Sequence, residues 1–247
     1  MEDNNLIFGT RAVIEAIEAG KDIEKILLQK GLSNELYHQL RQALRGQTIP
    51  FQFVPPEKMK RLTDKNHQGV IAYLTEITYY ETENLLDLVY TSGKTPLLLI
   101  LDRITDVRNF GAIARGAECA GVDFIIIPNR GAAQINGDAI KTSAGALHRI
   151  KVCREDNLKQ TIEFLKSGGI QIVACHEKTD HLLYDADFNK PTAIIMGSEE
   201  NGISQEYIKR SDIQVKIPMI GHTASLNVSV ASGIVLFEAV KQRMGIK

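Results

Sequence analysis

No apolar run in the 247-residue sequence reaches the roughly 18 residues that a membrane-spanning helix needs, so no membrane partner is expected. The N-terminal stretch MEDNNLIFGTRAV is acidic and lacks the apolar centre of a signal peptide, and the expected location is the cytoplasm. Cysteine is scarce. Cys119, Cys153 and Cys175 are odd in number, far apart and form no C-x-x-C pair. That argues against a disulfide framework and a cysteine zinc site, and all three are expected as buried apolar thiols. Charge of one sign is missing too. Net charge is −1, and the balance holds locally: residues 1–75 carry 10 Lys/Arg against 9 Asp/Glu, residues 76–96 carry 1 against 4, and residues 97–247 carry 18 against 17. Nucleic-acid binding must then rest on local clusters and not on a broad positive field.

Two common ligand motifs are absent as well. No G-x-G-x-x-G occurs, which removes the dinucleotide fingerprint. GAIARGAE follows an apolar run, with Gly111 and Gly116 at P-loop spacing. Ala117 and Glu118 stand where a P-loop needs Lys and Ser/Thr to hold phosphates and Mg²⁺. His176 and His181 flank EKTD without the helical spacing of a metal site, and His38, His67, His148 and His222 are scattered. No metal is expected.

What is present reads as an α/β protein. At 44% hydrophobic and 24% charged, the composition is that of an ordinary globular chain. GTRAVIEAIEAG predicts a short helix closed by Gly20, KILLQK a strand, and SNELYHQLRQALRG a helix with Ser33 as N-cap and Gly46 past its end. PFQFVP, PEKMKRL and GVIAYL add a strand, a helical turn and a strand. This first unit spans residues 1–75. Residues 76–96 are acidic, with a weak helix ENLLDLVY and a turn at Ser92-Gly93, and read as a linker. Residues 97–247 are more regular. PLLLILD and VDFIIIP are continuous apolar runs, as expected of strands buried on both faces. The small-residue helix FGAIARGAECAG lies between them, so parallel pairing is expected. RIKVCR, IQIVACHE, TAIIMG and IQVKIP bring the expected strands to about six, with helices at AIKTSAGAL, NLKQTIEFLKSGG and the C-terminus. In TASLNVSVASGIVLFEAV, Leu226, Val228 and Val230 alternate with Asn227 and Ser229 like a strand, before a helical rear half.

Three polar clusters follow apolar strands, where loops of α/β sheets build ligand sites. The first is DRITDVRNFGAIARGA, with Asn109, Gly111 and Arg115. The second is IMGSEENGIS, with Gly197, Ser198, Glu199 and Gly202. The third is IPMIGHTASLNVSVA, with Ser225, Asn227 and Ser229. Singly, each has a structural alternative. Gly111 and Gly116 allow close helix packing, SEENG makes an exposed turn, and Ser225, Asn227 and Ser229 cap a helix.

Together, the order N-F-G-A-I-A-R-G-A, I-M-G-S-E-E-N-G-I and I-P-M-x-G-x-x-x-S-L-N-V-S-V-A closely resembles the three motifs of the SpoU/TrmH family. These are RNA 2′-O-ribose methyltransferases of the SPOUT superfamily. The resemblance is strong over residues 97–247. It extends to IFGTRAVIEAI and NHQGVIA, which are similar to the family's N-terminal RNA-binding unit of ribosomal-protein L30e type. The two-part layout is most similar to members that methylate a guanosine of 23S rRNA.

The resemblance implies a C-terminal parallel-sheet domain closed by a deep trefoil knot, a rare exception to unknotted connectivity. In that reading Thr223–Asn227 is the loop of the knot and Val228 begins the terminal helix. It implies a homodimer formed through that domain, with each site completed by the partner. S-adenosylmethionine is the methyl donor implied, bound bent, with Met196, Gly197, Ser198, Gly202, Ile217, Met219 and Leu226 around it. The backbones of Gly197, Ile217 and Leu226 would line the pocket, and glycine permits close approach.

The implied catalytic set is Arg115, Asn109, Glu199, Ser225 and Asn227. Arg115 matches the family's proposed general base. A guanidinium is normally protonated throughout the accessible range, so clamping the phosphate beside the target ribose is the competing role. Asn109 orients Arg115 or the ribose, Glu199 sets the arginine's position, and Ser225 and Asn227 contact the hydroxyl and support the loop. Arg103 and Arg108 are candidate phosphate contacts. In the first unit KMKRLTDKNHQG gathers Lys58, Lys60, Arg61 and Lys65 as candidate RNA contacts. The expected substrate is rRNA. The rivals are the same reaction on tRNA, and a non-catalytic RNA-binding or ribosome-assembly protein of this fold.

Overall fold

The computed structural model describes residues 6–47, 49–223 and 225–246. It divides into two units, one ending at Thr78 and the other beginning at Tyr79. Ala224, within the expected loop of the knot, lies outside the described residues. No helix of the described residues is long and apolar enough to cross a membrane.

The first unit runs β1 (Leu6–Phe8), α1 (Thr10–Glu18), β2 (Ile23–Gln29), α2 (Glu35–Ala43), β3 (Phe51–Val54), α3 (Pro56–Leu62) and β4 (Val70–Leu74). Its sheet has the order β1-β4-β2-β3. β4 pairs antiparallel with β1 and β2, while β3 joins β2 in parallel as an edge. Alternation along β2 serves two cores. Ile26 and Leu28 pack with Val13, Ile17 and Leu40 from α1 and α2, and Leu27 packs with Val54, Met59 and Ile71, under α3. Gly20 follows α1 with φ +65°, as a helix stop requires. The N-cap of α2 is not Ser33 but Asn34, whose side chain accepts from the Tyr37 N–H at 2.9 Å.

The expected linker carries structure of the second unit. β5 (Tyr79–Tyr80) joins β8 (Lys151–Glu155) at one edge of the second sheet, and α4 (Thr82–Thr91) follows. Thr82, Leu85, Leu86 and Val89 stand at helical spacing, and Leu85 and Leu86 enter the core with Ile162, Leu165 and Ile172. The acidity of this stretch belongs to the solvent face of α4, where Glu83 and Asp87 are exposed.

The second sheet has seven strands, one more than expected because β5 joins it. Its order is β11-β9-β10-β6-β7-β8-β5, and every pair is parallel. The remaining elements are β6 (Leu97–Asp102), α5 (Val107–Cys119), β7 (Phe124–Pro128), α6 (Gly137–Thr142), α7 (Leu158–Ser167), β9 (Gln171–Cys175), β10 (Thr192–Gly197), α8 (Gln205–Ile208), β11 (Ile213–Val215) and α9 (Val228–Arg243). All six side chains of β6 are buried, which explains its uninterrupted apolar run. β7 and β8 extend the sheet to one side of β6, and β9, β10 and β11 to the other. The chain therefore reverses its winding between β6 and β10. In open α/β sheets such a reversal opens a crevice at the strands' C-terminal ends.

The strand-like front of the last segment is no strand: Val228 already starts α9. α9 packs on α5 and is pinned at its end. The Arg243 guanidinium donates to the carbonyls of Thr95 (2.7 Å), Pro96 (2.8 Å), Phe188 (2.9 Å) and Lys190 (3.0 Å). Of the thiols, only Cys153 is fully buried; Cys119 is exposed and Cys175 intermediate. Cys119 is the last residue of α5, on its solvent side, so the expectation of three buried thiols fails there.

Candidate active site

Because the sheet is parallel, β9, β10 and β11 end on one side, at Cys175, Gly197 and Val215. A cavity of about 380 Å³ opens there, within the range of about 300–1,000 Å³ that small-molecule sites occupy. All seven positions expected around the cofactor line it: Met196, Gly197, Ser198, Gly202, Ile217, Met219 and Leu226. Ser225 lines it as well. The chemistry of the lining suits a nucleoside with a charged tail. Apolar Met196, Ile217 and Leu226 share the wall with Glu177, Lys178, Glu200 and Lys216. Cys175 is also in the wall, and burial pushes its thiol up to about 12, so it stays protonated.

The turn after β10 shapes this cavity. The Gly202 N–H donates to the Ser198 carbonyl at 2.8 Å, and the Asn201 N–H donates to the Ser198 hydroxyl at 3.2 Å. Gly202 has φ +60°. A Cβ on Gly197 would stand 2.1 Å from the Gly202 carbonyl carbon and 2.3 Å from the Ile203 nitrogen. Glycine is required at 197 because the turn folds back onto its own backbone. Gly111 serves packing in the same way. A Cβ there would meet the Ala139 carbonyl oxygen at 2.7 Å, so it lets α5 approach α6. Gly116 has nothing within 4 Å of a built Cβ.

Two helix N-termini meet at this turn. Asp106 caps α5 by accepting from the Asn109 N–H at 2.7 Å, and Asn227 caps α9 by accepting from the Ser229 N–H at 3.0 Å. Their outward amides then converge on one carboxylate. The Asn227 amide donates to Glu199 at 2.6 Å and to the Asn109 side-chain oxygen at 3.0 Å. The Asn109 amide donates to the other Glu199 oxygen at 3.2 Å, and the Val228 N–H reaches Glu199 at 3.3 Å. A carboxylate facing the start of α9 is also favoured by the helix dipole. One residue from each of the three motifs is thus locked into a single node.

On the far side of the same turn lies a second cavity of about 360 Å³. Arg103, Asp106, Asn109, Glu199 and Glu200 line it. Arg103 adopts a left-handed backbone (φ +59°) that is uncommon for a non-glycine residue. Its guanidinium is held 3.2 Å from the Asp102 carboxylate and donates to the Gly202 carbonyl at 3.2 Å. Asp102, 2% exposed, also accepts from the Ser204 N–H (2.6 Å) and hydroxyl (2.7 Å). The end of β6 is thereby tied to the closing end of the turn after β10.

Several expected residues stand apart. Arg108 and Arg115 lie on α5, exposed, one helical repeat apart on one face, and line neither cavity. Lys58, Lys60, Arg61 and Lys65 are exposed on and after α3 of the first unit, with Lys65 above the Phe8 ring at 5.4 Å. The residues that motif reading missed are Asp102, Ser204, Lys216 and the His176–Lys178 loop. Their signal was position alone: Asp102, Lys216 and the His176–Lys178 loop sit at or just past a strand end, and Ser204 opens α8. His176 is fixed by Gln214 (3.1 Å) and accepts from the Lys178 N–H.

Comparison with known proteins covers both units. Residues 96–237 match the model of the SpoU rRNA Methylase family, and residues 6–80 match a model described as RNA 2′-O ribose methyltransferase substrate binding. A Staphylococcus saprophyticus protein named as a TrmH family tRNA/rRNA methyltransferase is 35% identical over 238 residues, covering 96% of each chain. A Bacillus subtilis protein of the same designation is 31% identical, over 98% of this chain and 97% of that one. Among solved structures, the SpoU methyltransferase AviRb from Streptomyces viridochromogenes, crystallised with AdoMet, superposes with a TM-score of 0.62. The identity is 26%, over 97% of this chain and 90% of that one.

Proposed function

The chain belongs to the SpoU rRNA methylase family and is an S-adenosylmethionine-dependent RNA 2′-O-ribose methyltransferase; from that premise we propose that its substrate is a guanosine of large-subunit rRNA, methylated in the cytoplasm. The two-unit layout supports rRNA, with the first unit, matched by the substrate-binding model, gripping the RNA. The observation that carries the assignment of roles is the node of Asn109, Glu199 and Asn227, which divides a cofactor-sized cavity from a second, polar one.

S-adenosylmethionine supplies a methyl on a sulfonium, whose neutral leaving group needs no metal. Met196, Gly197, Ser198, Gly202, Ile217, Met219 and Leu226 hold it in the first cavity. The second cavity takes the target nucleotide. In-line transfer needs the ribose oxygen aligned and relieved of its proton. Asn109 and Asn227, oriented by Glu199, fix the hydroxyl's position. Ser225 contacts it, and Arg103 meets an adjoining phosphate, its side chain already ordered by Asp102.

Arg108 and Arg115 act from a partner protomer. Val230, Ile234 and Phe237 support a homodimer, since they form an exposed apolar stripe at helical spacing on α9. The anchoring of α9 at both ends supports the trefoil-knot reading of the C-terminal segment. Arg115 clamps phosphate or takes the proton. Both roles need its planar fork, so Arg115→Lys should lose most activity, and a near-normal rate would remove Arg115 from the site.

The decisive experiment is gene deletion with ribose-methylation mapping across rRNA and tRNA. Loss of one 23S guanosine methylation is expected. Loss confined to tRNA would favour the reading that the relatives' joint tRNA/rRNA designation leaves open. Purified protein that fails to bind S-adenosylmethionine by calorimetry would point to a non-catalytic RNA-binding protein.

A further inference from the structure

Residues 36–56 contain no aspartate or glutamate, although the chain has 30. The fold gathers this acid-free stretch into α2 and the edge strand β3. His38, Arg41 and Gln42 stand at i, i+3 and i+4 along α2, and with Arg45, in the turn past its end, line a shallow recess. Leu40 faces the core from the same helix, so the charged stripe is the helix's outer side. Neither Arg41 nor Arg45 has a carboxylate partner among the described residues.

Beside the stripe are two aromatic rings. Arg41 lies over Phe51, 5.2 Å from its centroid. Phe51 in turn meets Phe53 edge-on, at 6.0 Å and 88°. Phe51 is packed against the core, but Phe53 is 43% exposed and joins neither core cluster of this unit. An exposed phenylalanine braced by a second ring, beside two unpaired guanidiniums, has the makeup of a site for unpaired nucleic acid. Bases stack on the ring whatever their identity, and phosphates pair with the cations. A duplex would offer phosphates but keep its bases inside the stack.

We propose that the α2–β3 face is an RNA-contact surface separate from the lysines of α3, taking an unpaired segment of the substrate with a base on Phe53 and phosphates on Arg41 and Arg45. The inference rests on RNA being the substrate, and its test separates the two. Fluorescence anisotropy of the full chain is read with labelled dodecauridine and with a 12-base-pair RNA duplex, across a salt series. Phe53→Ala should weaken dodecauridine binding about tenfold, leave the salt slope unchanged, and spare the duplex. Phe53→Tyr, which keeps the ring, should restore binding. Arg41→Gln with Arg45→Gln should lower the log–log salt slope by about 1.4. An unchanged Tm in every variant reports an intact first unit, and S-adenosylmethionine binding should be unchanged in all. Wild-type affinity in Phe53→Ala, equal losses for duplex and single strand, or an unaltered slope in the arginine pair would overturn the surface while leaving the methyltransferase reading intact. A wild-type protein that binds neither RNA would overturn both. Polyglutamate binding lost in Phe53→Ala alongside the RNA would make the face an acidic-peptide site and overturn it.

Discussion

The two units distribute polar groups in opposite ways. In the second unit every strand points the same way, so the loops after β6, β9, β10 and β11 share one edge. Residues 118 positions apart, Asn109 and Asn227, hydrogen-bond there. In the first unit β4 runs against β1 and β2, its turns open at both ends, and its charges lie on helix surfaces. A parallel sheet makes an enclosed site from distant loops, whereas a small mixed sheet offers faces. Damage to the second unit should therefore abolish cofactor binding or chemistry, and damage to the first should only loosen RNA.

The sharpest break is Gly197→Ala. With backbone atoms 2.1–2.4 Å from the new Cβ, the turn must move, at a cost of about 3 kcal/mol or more. Calorimetry should find no S-adenosylmethionine binding, and normal binding with an unchanged Tm would refute the turn's role. Glu199→Ala strands three donors and frees both asparagines. Single-turnover methylation should fall about 100-fold with cofactor affinity within a few-fold; an unaffected rate would show the node to be structural only. Arg243→Ala removes four bonds to carbonyls and should cost about 2 kcal/mol by urea unfolding. Arg243→Lys should recover little, because one ammonium cannot span the four acceptors.

In the first unit, replacing Lys58, Lys60, Arg61 and Lys65 with Gln should raise KM for RNA about tenfold and flatten its salt dependence by about 2–3 in log–log slope. The turnover number should hold; a fall in kcat would end the division of labour. The smallest effect is with pH. All three thiols lie in the second unit, and burial pushes Cys153 and Cys175 up to about 12 from 9.0. Their folded pKa values are raised, so their stabilisation is complete below pH 9 and is lost as pH rises towards 12. At pH 9.5 it should already be lower by under about 1 kcal/mol per thiol. A Cys153→Ala, Cys175→Ala double variant should lack this slope in urea unfolding, and an identical slope would refute it.

Much of this was legible in order along the chain. Buried strands announce themselves when both faces are apolar, as in LLLILD, and glycine stops such as Gly20 need a positive φ that few other residues tolerate. The residues of the three motifs were legible as a resemblance, and the seven cofactor positions do share one cavity. Other features resisted for stated reasons. The stretch 76–96 looked like a linker because its four acidic residues outnumber the three apolar residues, Leu85, Leu86 and Val89, that turn inward. Ser33 and Asn34 are both competent caps, and only the backbone selects Asn34. Val228 and Val230 alternated with polar neighbours because a loop with its backbone against a cavity runs straight into a helix. Arg103 gave no signal of its left-handed backbone or of its hold on Gly202.

The sequence alone determined the buried strands and most of the helices, since burial periodicity and capping chemistry act over a few residues. It also carried the three motifs whose resemblance to a family marks the candidate site residues. Only the tertiary structure decided that Gly197 is glycine for the sake of Gly202 and Ile203. It likewise decided that Glu199 holds two asparagines from different helices, and that Arg41 and Phe53 face solvent together. Those facts depend on atoms brought within a few ångströms by the path of the folded backbone, and no residue pattern records such distances.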